Sequence, residues 1–152
     1  MPLLTSVVTH VRLKLMPGDR AIYSIICDDI RHEVGDKISL MGCYSGVMYV
    51  NAFPASLPKL GAYTRISTDY NDLIKSLSVR FYFGKKLLGQ INGDLSEIKP
   101  EKIGDKSTYQ LAMVCGPIKL EQPGELRVEI ETGDDALVSE SVNVMLRPAS
   151  SQ

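Results

Sequence analysis

The residues best able to do chemistry lie together in one heptapeptide, which runs from Cys27 to Glu33. Its sequence, Cys-Asp-Asp-Ile-Arg-His-Glu, supplies a thiol, three carboxylates, a guanidinium and an imidazole. A thiol beside an imidazole is the pairing that cysteine nucleophiles use. Successive side chains of an extended strand point to opposite faces, so pairing Cys27 with His32 requires a tight turn at this place.

A structural role accounts for the same heptapeptide. In a turn, Asp28 or Asp29 accepts hydrogen bonds from backbone N–H groups, and Arg31 pairs with one of the two carboxylates. The only other histidine of the chain is His10, so no catalytic partner is marked elsewhere. We therefore predict that the protein is not an enzyme.

The alternative function is a hydrolase, or a domain that binds calcium or another small ligand, working through the Asp28–Glu33 turn. The weak candidate metal ligands are Asp28, Asp29, Asp134 and Asp135. No Asp-x-Asp-x-Asp loop is present to bring several oxygens onto one ion, so we predict no metal and no cofactor. An open pocket gathering Asp28, Asp29 and His32 would favour the alternative, whereas side chains turned into local backbone hydrogen bonds would favour the structural role.

The composition is that of an ordinary globular protein without attraction for polyanions. The 152 residues are 44% hydrophobic and carry 17 basic against 18 acidic side chains, a formal net charge of -1. This balance does not steer nucleic acid or an anionic membrane surface, so we predict neither as a partner. The longest uncharged run, Ile38 to Leu57, is interrupted by glycines and a proline and falls short of the ~20 unbroken apolar residues of a membrane span.

The three cysteines, Cys27, Cys43 and Cys115, are odd in number and far apart. This spacing indicates neither a disulfide framework nor a zinc site. Each cysteine lies in an apolar run and is predicted to be a buried, reduced thiol. The first residues, Met-Pro-Leu-Leu, lack the basic region of a signal peptide. Together these features favour a cytoplasmic protein, or one assembled into a virion made in the cytoplasm.

Alternation of apolar and polar residues with a period of two runs through almost the whole chain, and no dozen residues show helical spacing. The sequence therefore predicts an all-β protein with about eight to ten short strands. At this length they form one domain, residues 1–152. Two antiparallel sheets are expected to pack as a β-sandwich, immunoglobulin-like or jelly-roll-like. A β-barrel is the alternative.

Several strands are marked clearly by their patterns. An opening strand, Val7–Leu15, lies in an N-terminal extension, residues 1–19. The cleanest strand, Leu77–Phe83, is predicted to form a hairpin with Leu87–Ile91. The core is expected in four segments, Ile22–Cys27, Ile38–Tyr44, Leu77–Phe83 and Leu126–Ile130.

The connections are marked by prolines, glycines and polar residues. Two prolines make Phe53–Lys59 a crossover between sheets, because proline removes the donors that a central strand needs. Residues 92–106 are predicted to be a long loop with a single helical turn at residues 95–98. Residues 148–152 carry no core side chains and are predicted to be a C-terminal tail.

Three motifs follow one another along the chain. They are Cys27–Arg31, Gly42–Tyr44 and Phe53–Pro58, which read Cys-Asp-Asp-Ile-Arg, Gly-Cys-Tyr and Phe-Pro-Ala-Ser-Leu-Pro. In this order they resemble an uncharacterised family of small domains found in bacteria and their phages. The resemblance covers about Ala21 to Ile91 and implies no activity or site residues. The strand before Met16 lies outside it.

Aromatic side chains around the proline crossover are the candidates for an interface, because such residues are enriched where proteins bind one another. The candidates are Tyr44, Tyr49, Phe53, Tyr63 and Tyr70. Core or cross-strand packing is the competing interpretation. Without a catalytic constellation, and with a resemblance that includes phages, we predict a non-catalytic structural or interaction module. Its partner is expected to be protein, in a homo-oligomer or a larger assembly such as a phage particle.

Overall fold

The fold is built from β-strands alone. The computed structural model describes residues 20–133, 135–139 and 141–150, and these ranges contain thirteen strands and no helix. In the same ranges there is accordingly no helix with the length and hydropathy needed to cross a bilayer. The strands are β1 (Ala21–Glu33), β2 (Lys37–Tyr44), β3 (Val47–Val50), β4 (Ala55–Leu57), β5 (Leu60–Asp69), β6 (Ser76–Phe83), β7 (Lys86–Asp94), β8 (Glu101–Ile103), β9 (Lys106–Cys115), β10 (Ile118–Leu120), β11 (Gly124–Glu131), β12 (Ala136–Val138) and β13 (Val142–Leu146).

Two open sheets enclose the core. The five-stranded sheet has the order β2-β1-β5-β9-β8, and the six-stranded sheet has the order β3-β13-β11-β6-β7 with β12 beside β11. Strands β3 and β13 run parallel, the other described pairs are antiparallel, and the short strands β4 and β10 form a separate pair. The predicted β-sandwich is confirmed, and because neither large sheet closes on itself the β-barrel alternative is wrong.

The core lies between the two sheets and is filled by alternate side chains of each strand. On β6 the side chains of Leu77, Val79, Phe81 and Phe83 are buried, and the residues between them face outward. The hairpin of β6 with β7 is confirmed. From the opposite sheet, β5 contributes Ile66, which is fully buried. Burying one such large apolar side chain stabilises the fold by roughly 1.5–3 kcal/mol.

One segment predicted for the core lies mostly outside it. Ile38–Tyr44 forms most of β2, which is an edge strand of the five-stranded sheet, and its side chains are half-buried or exposed. An edge strand has a neighbour on one side only, so an apolar sequence does not ensure burial. Cys43 of this strand is therefore exposed, contrary to prediction, while Cys27 and Cys115 are buried as predicted.

Two predicted connections contain more strand pairing than their sequences indicate. The predicted turn at Asp28–Glu33 is the second half of β1, which pairs with β2 as far as its last residue. The predicted loop at residues 92–106 contains β8, which pairs with β9. Residues 95–98 form a turn closed by one 3.0 Å backbone hydrogen bond, and no helix. Strands β4, β8, β10 and β12 have three residues each, too few to show a period.

The predicted crossover at Phe53–Lys59 is confirmed, because it leads from β3 in one large sheet to β5 in the other. The short strand β4 lies within it. The predicted strand Val7–Leu15 and the extension 1–19 fall outside the described residues. Of the predicted tail, residues 148–150 are described and exposed.

One arginine is buried at the end of the sandwich where β1 begins. Arg20 is 5% exposed, and its Nε and Nη2 donate to the two carboxylate oxygens of Asp72 at 2.8 and 2.9 Å. Its Nη1 donates to the Thr132 hydroxyl at 2.8 Å and to the Asp135 carboxylate at 3.2 Å. Arg20 thus joins the start of β1 to the loops that follow β5 and β11.

Candidate interaction surface

The heptapeptide with the chemically capable groups is part of a strand, and the strand separates those groups. Cys27 is fully buried, whereas Arg31, His32 and Glu33 are exposed. Five residues of extended chain place Cys27 and His32 about 16 Å apart along β1. The sequence-predicted thiol and imidazole are therefore not brought together.

Local partners hold the two aspartates of the heptapeptide. Asp29 accepts hydrogen bonds from Lys59 Nζ at 2.8 Å, from Arg31 Nε at 3.3 Å and from the backbone N–H of the next residue at 3.0 Å. The hydrogen bond from Lys59 is the main cause that lowers the pKa of Asp29. Asp28 accepts a hydrogen bond from the Tyr44 hydroxyl. Both carboxylates are engaged within their own surroundings.

The candidate calcium ligands do not converge. Asp135 binds Arg20, the residue before β1, whereas Asp28 lies eight residues further along β1, a distance of about 27 Å in extended chain. Asp134 falls outside the described residues. In the part of the chain that the structure describes, no three His, Cys, Asp or Glu side chains form a group that could hold a metal ion.

The fold disfavours the thiolate form of all three cysteines. Burial is the main cause that raises the pKa of Cys27 to about 11, with the nearby Cys43 and Asp28 adding to it. Burial also raises the pKa of Cys43 and of Cys115. The thiolate is the reactive form. The raised pKa means that the folded state favours the neutral thiol of Cys27, and this preference contributes to the free energy of unfolding below about pH 9. We expect that contribution to be lost as the pH rises from about 9 to about 11.

Alkylation should distinguish the three thiols by their exposure. With iodoacetamide at pH 8 we expect Cys43 to be labelled first, because it is exposed, and Cys27 and Cys115 to be labelled only as the protein unfolds. Peptide mass mapping over time measures each rate. In concentrated guanidinium chloride, the control, the three rates should converge. Labelling of Cys27 as fast as Cys43 in the folded protein would contradict its burial.

The five aromatic candidates do not form one patch. Tyr44 and Phe53 are partly buried and pack against the core. Tyr63 is partly buried on the face of β5 that points away from the core. Tyr70 is 46% exposed beyond the end of β5. Tyr49 is also 46% exposed, on β3 at the edge of the six-stranded sheet.

Tyr49 belongs to an exposed apolar cluster whose other members were not predicted. Val47, Tyr49 and Met145 are 37%, 46% and 42% exposed, and the register of β3 with β13 places Met145 beside Tyr49. All three face outward, because the residues that alternate with them, Met48 and Val144, are buried. We call Val47, Tyr49 and Met145 the β3 edge patch. Contiguous exposed apolar side chains are candidates for a protein–protein contact.

Strand β3 also presents backbone groups to the outside. Among the described strands it ends the six-stranded sheet and pairs on one side only, with β13. The carbonyl groups of Gly46 and Val50 accept 2.8 Å hydrogen bonds from the backbone of residues 143–147. Backbone groups of alternate residues point to opposite sides of a strand. The N–H and C=O groups of Val47 and Tyr49 therefore point to the open edge.

The other edge strands of the two large sheets carry features that hinder pairing. Strand β2 contains Gly42 with a φ of 66°. Strand β7 shifts its register at a bulge opposite Phe81 and Tyr82, and β8 has only three residues. Irregularities and short lengths are the means by which proteins protect sheet edges. Strand β3 is also short, with four residues, but it reads Val-Met-Tyr-Val, so neither a charge, a glycine nor a proline hinders pairing along it.

The patch is confined to the edge of its sheet. Towards the centre of the same outer face, Arg80 binds Glu131 at 2.9 Å and Arg127 binds Glu129 at 2.9 Å. These ion pairs make the centre of the face polar. An apolar partner therefore fits the β3 edge better than the middle of the sheet.

An open cleft of about 460 Å³ lies on the side of β6 and β7. Its carboxylates already have partners, since Glu131 binds Arg80 and Asp94 accepts a hydrogen bond from the backbone N–H of Ser96 at 2.9 Å. Among the described residues, none of the groups predicted for a small-ligand site lines it. The lining residues are Ser76, Leu77, Ser78, Asn92, Gly93, Asp94, Glu131 and Gly133.

One signal for the edge patch was present in the sequence. Strand β3 lies inside the longest uncharged run, Ile38 to Leu57, and is apolar on both faces. That pattern suits a buried strand as well as an exposed edge strand. Only the order of the strands in the sheet shows whether the strand is buried or lies at an exposed edge.

Comparison with known proteins gives a family and no activity. Residues 22–145 match the family of unknown function DUF6941, which confirms the predicted relation to an uncharacterised family. The match extends well past Ile91, where the resemblance of motifs ended, and reaches into β13. No curated protein matches the sequence.

Proposed function

We propose that this chain, which belongs to the family of unknown function DUF6941, is a non-catalytic building module that associates with copies of itself. The observation that carries the proposal is the β3 edge patch, an exposed apolar cluster on a sheet-edge strand without charge, glycine or proline. Soluble proteins seldom leave such an edge open unless something pairs with it.

The fate of the chemically capable groups supports a role without catalysis. The thiol and imidazole of the heptapeptide are separated along β1, and burial raises the pKa of the Cys27 thiol. Asp29 is engaged by Lys59 and Arg31. These local contacts support a structural role for Asp29.

The chemistry of the patch supports a second copy as the partner. Val47, Tyr49 and Met145 carry no charge, so two copies of the patch can meet without like-charge repulsion. The patch is small, and interfaces that bury less than about 1,200 Å² in total are typical of weak or transient association. We therefore expect a reversible dimer with a dissociation constant in the micromolar range.

Sedimentation velocity over about 1–200 μM should show this dimer. We expect the mass of the wild-type protein to rise from 16.8 kDa towards twice that value as its concentration increases. Tyr49→Asp places a charge in the patch and should weaken association at least tenfold. Tyr70→Asp is the matched control, because Tyr70 has the same 46% exposure outside the patch and lies beside Lys102, which tolerates a carboxylate.

Two results would end this proposal. One is a wild-type protein that stays monomeric up to the highest concentration. The other is equal weakening of association by Tyr49→Asp and Tyr70→Asp, because the patch would then have no special role. Thermal unfolding of both variants checks that each is folded.

A further inference from the structure

We infer that two copies join by pairing their β3 strands antiparallel across a two-fold axis, so that both six-stranded sheets become one continuous sheet. This inference rests on the proposed function, because it specifies how the self-associating copies meet. The partner that fits the surface is thus a β-strand edge of the same sequence. The bonds that form are main-chain hydrogen bonds with apolar contacts beside them.

The backbone of β3 determines the register. Residues that exchange hydrogen bonds across an antiparallel pair must be those whose N–H and C=O groups point outward, and on β3 these are Val47 and Tyr49. A two-fold axis beside Met48 sets Val47 of each copy opposite Tyr49 of the other. Both pairs then exchange two hydrogen bonds, about four in all.

The side chains agree with this register. Val47 and Tyr49 both lie on the outer face, so each Val47 packs against Tyr49 of the second copy, a combination of β-branched and aromatic residues that favours strand pairing. Met145 extends the apolar contact from the next strand. The buried Met48 lies on the opposite face and remains in the core.

The other edge of the same sheet limits the assembly to two copies. That edge is β7, whose bulge interrupts regular pairing. Contact of β3 with β3 uses one identical surface on each copy, and such a contact closes once it has formed. Edge pairing through β3 therefore gives a dimer and not a growing fibre.

Amide hydrogen exchange, measured residue by residue by NMR, tests the pairing. The amides of Val47 and Tyr49 point to the open edge, while those of Met48 and Val50 point to β13. Between dilute and saturating protein we expect exchange at Val47 and Tyr49 to slow at least tenfold. Exchange at Met48 and Val50 should remain slow throughout, which makes the same strand its own control.

The outcomes separate this inference from the proposed function. A protein that stays monomeric, with both outward amides exchanging freely, ends both. A dimer in which the Val47 and Tyr49 amides exchange as fast as in the monomer leaves self-association standing and overturns strand pairing. Protection of these amides in a monomer at every concentration assigns the edge to another part of the same chain, and also overturns it.

Cysteine cross-linking tests the register. In a Cys43→Ser background, Val47→Cys protein mixed with Tyr49→Cys protein and oxidised with glutathione disulfide should form mixed dimers in preference to either like pair. Two thiols lose two protons and two electrons, and glutathione disulfide accepts them to give two glutathione thiols. Hydrogen-bonded antiparallel partners have Cα atoms about 5.5 Å apart, within the range of a disulfide. A preference for like pairs would overturn the register.

Discussion

Replacing Arg20 with methionine is expected to lower the free energy of unfolding by about 3 kcal/mol. The substitution keeps much of the apolar length of the side chain and removes the guanidinium that binds Asp72, Thr132 and Asp135. The buried Thr132 hydroxyl loses the hydrogen bond from Arg20 and keeps the one from the backbone N–H of Asp135 at 3.3 Å, whereas the side chain of Asp72 is 40% exposed and can regain water. Because Asp72 is partly exposed, we expect a loss of stability at the lower end of the range found when one partner of a buried ion pair is removed. Urea denaturation at pH 7 measures it.

Arg80→Met is the matched control for this prediction. Arg80 also makes a bidentate pair, with Glu131 at 2.9 and 3.2 Å, but on the surface of the six-stranded sheet. Water screens exposed pairs and solvates their separated groups. We expect a much smaller loss of stability than for Arg20→Met. Equal losses would show that the burial of Arg20 does not increase the stabilising effect of its ion pair.

Arg20 also determines how the stability of the protein changes as the pH falls. The hydrogen bond from Arg20 is the main cause that lowers the pKa of Asp72 below its ordinary 3.8. A carboxyl group with a lowered pKa contributes stability that is present above 3.8 and lost as the pH falls through the folded value. The wild-type protein should therefore lose stability below about pH 4 more steeply than Arg20→Met.

Gly116→Ala is expected to cost about 3 kcal/mol or more, and in the extreme to prevent folding. A Cβ atom at Gly116 would lie 2.2 Å from the carbonyl oxygen of Pro58 and 2.8 Å from the Cα atom of Lys59. Both are backbone atoms of the crossover between the sheets, so no side chain can rotate to make room. Soluble yield and the midpoint of urea unfolding measure the effect.

Substitutions of two further glycines serve as controls for this prediction. At Gly93 a Cβ atom would meet only the end of the Leu95 side chain, at 3.6 Å, so Gly93→Ala should be close to wild type. At Gly124 it would meet the Phe83 ring at 2.7 Å, and because a ring can shift, Gly124→Ala should fall between the two. A Gly116→Ala protein as stable as Gly93→Ala would contradict the prediction, because it would show that the backbone of the crossover moves easily to make room for the Cβ atom.

The all-β fold and much of the core could be predicted because the signals are local. Alternation along Leu77–Phe83 places every second side chain on one face, and the structure buries those side chains. The two prolines of Phe53–Lys59 mark a crossover for the same reason, since each removes a donor at its own position. Such signals need no knowledge of which strands become neighbours.

The β3 edge patch and the contacts of Arg20 depend on residues that are far apart in the chain. Arg20 reaches Asp72, 52 residues later, and Asp135, 115 residues later. No spacing within the sequence marks partners at such distances.

The sequence by itself determined the all-β class, the hairpin that begins with Leu77–Phe83, the crossover at Phe53–Lys59, and that the heptapeptide Cys27–Glu33 holds the densest chemistry. The tertiary structure decided that this heptapeptide is a strand whose groups are held apart. It also decided that the similar apolar segments Val47–Val50 and Leu77–Phe83 have different surroundings, because one ends its sheet and the other lies inside it. Burial depends on how many strands flank a segment, and that number is set by the order of the sheet.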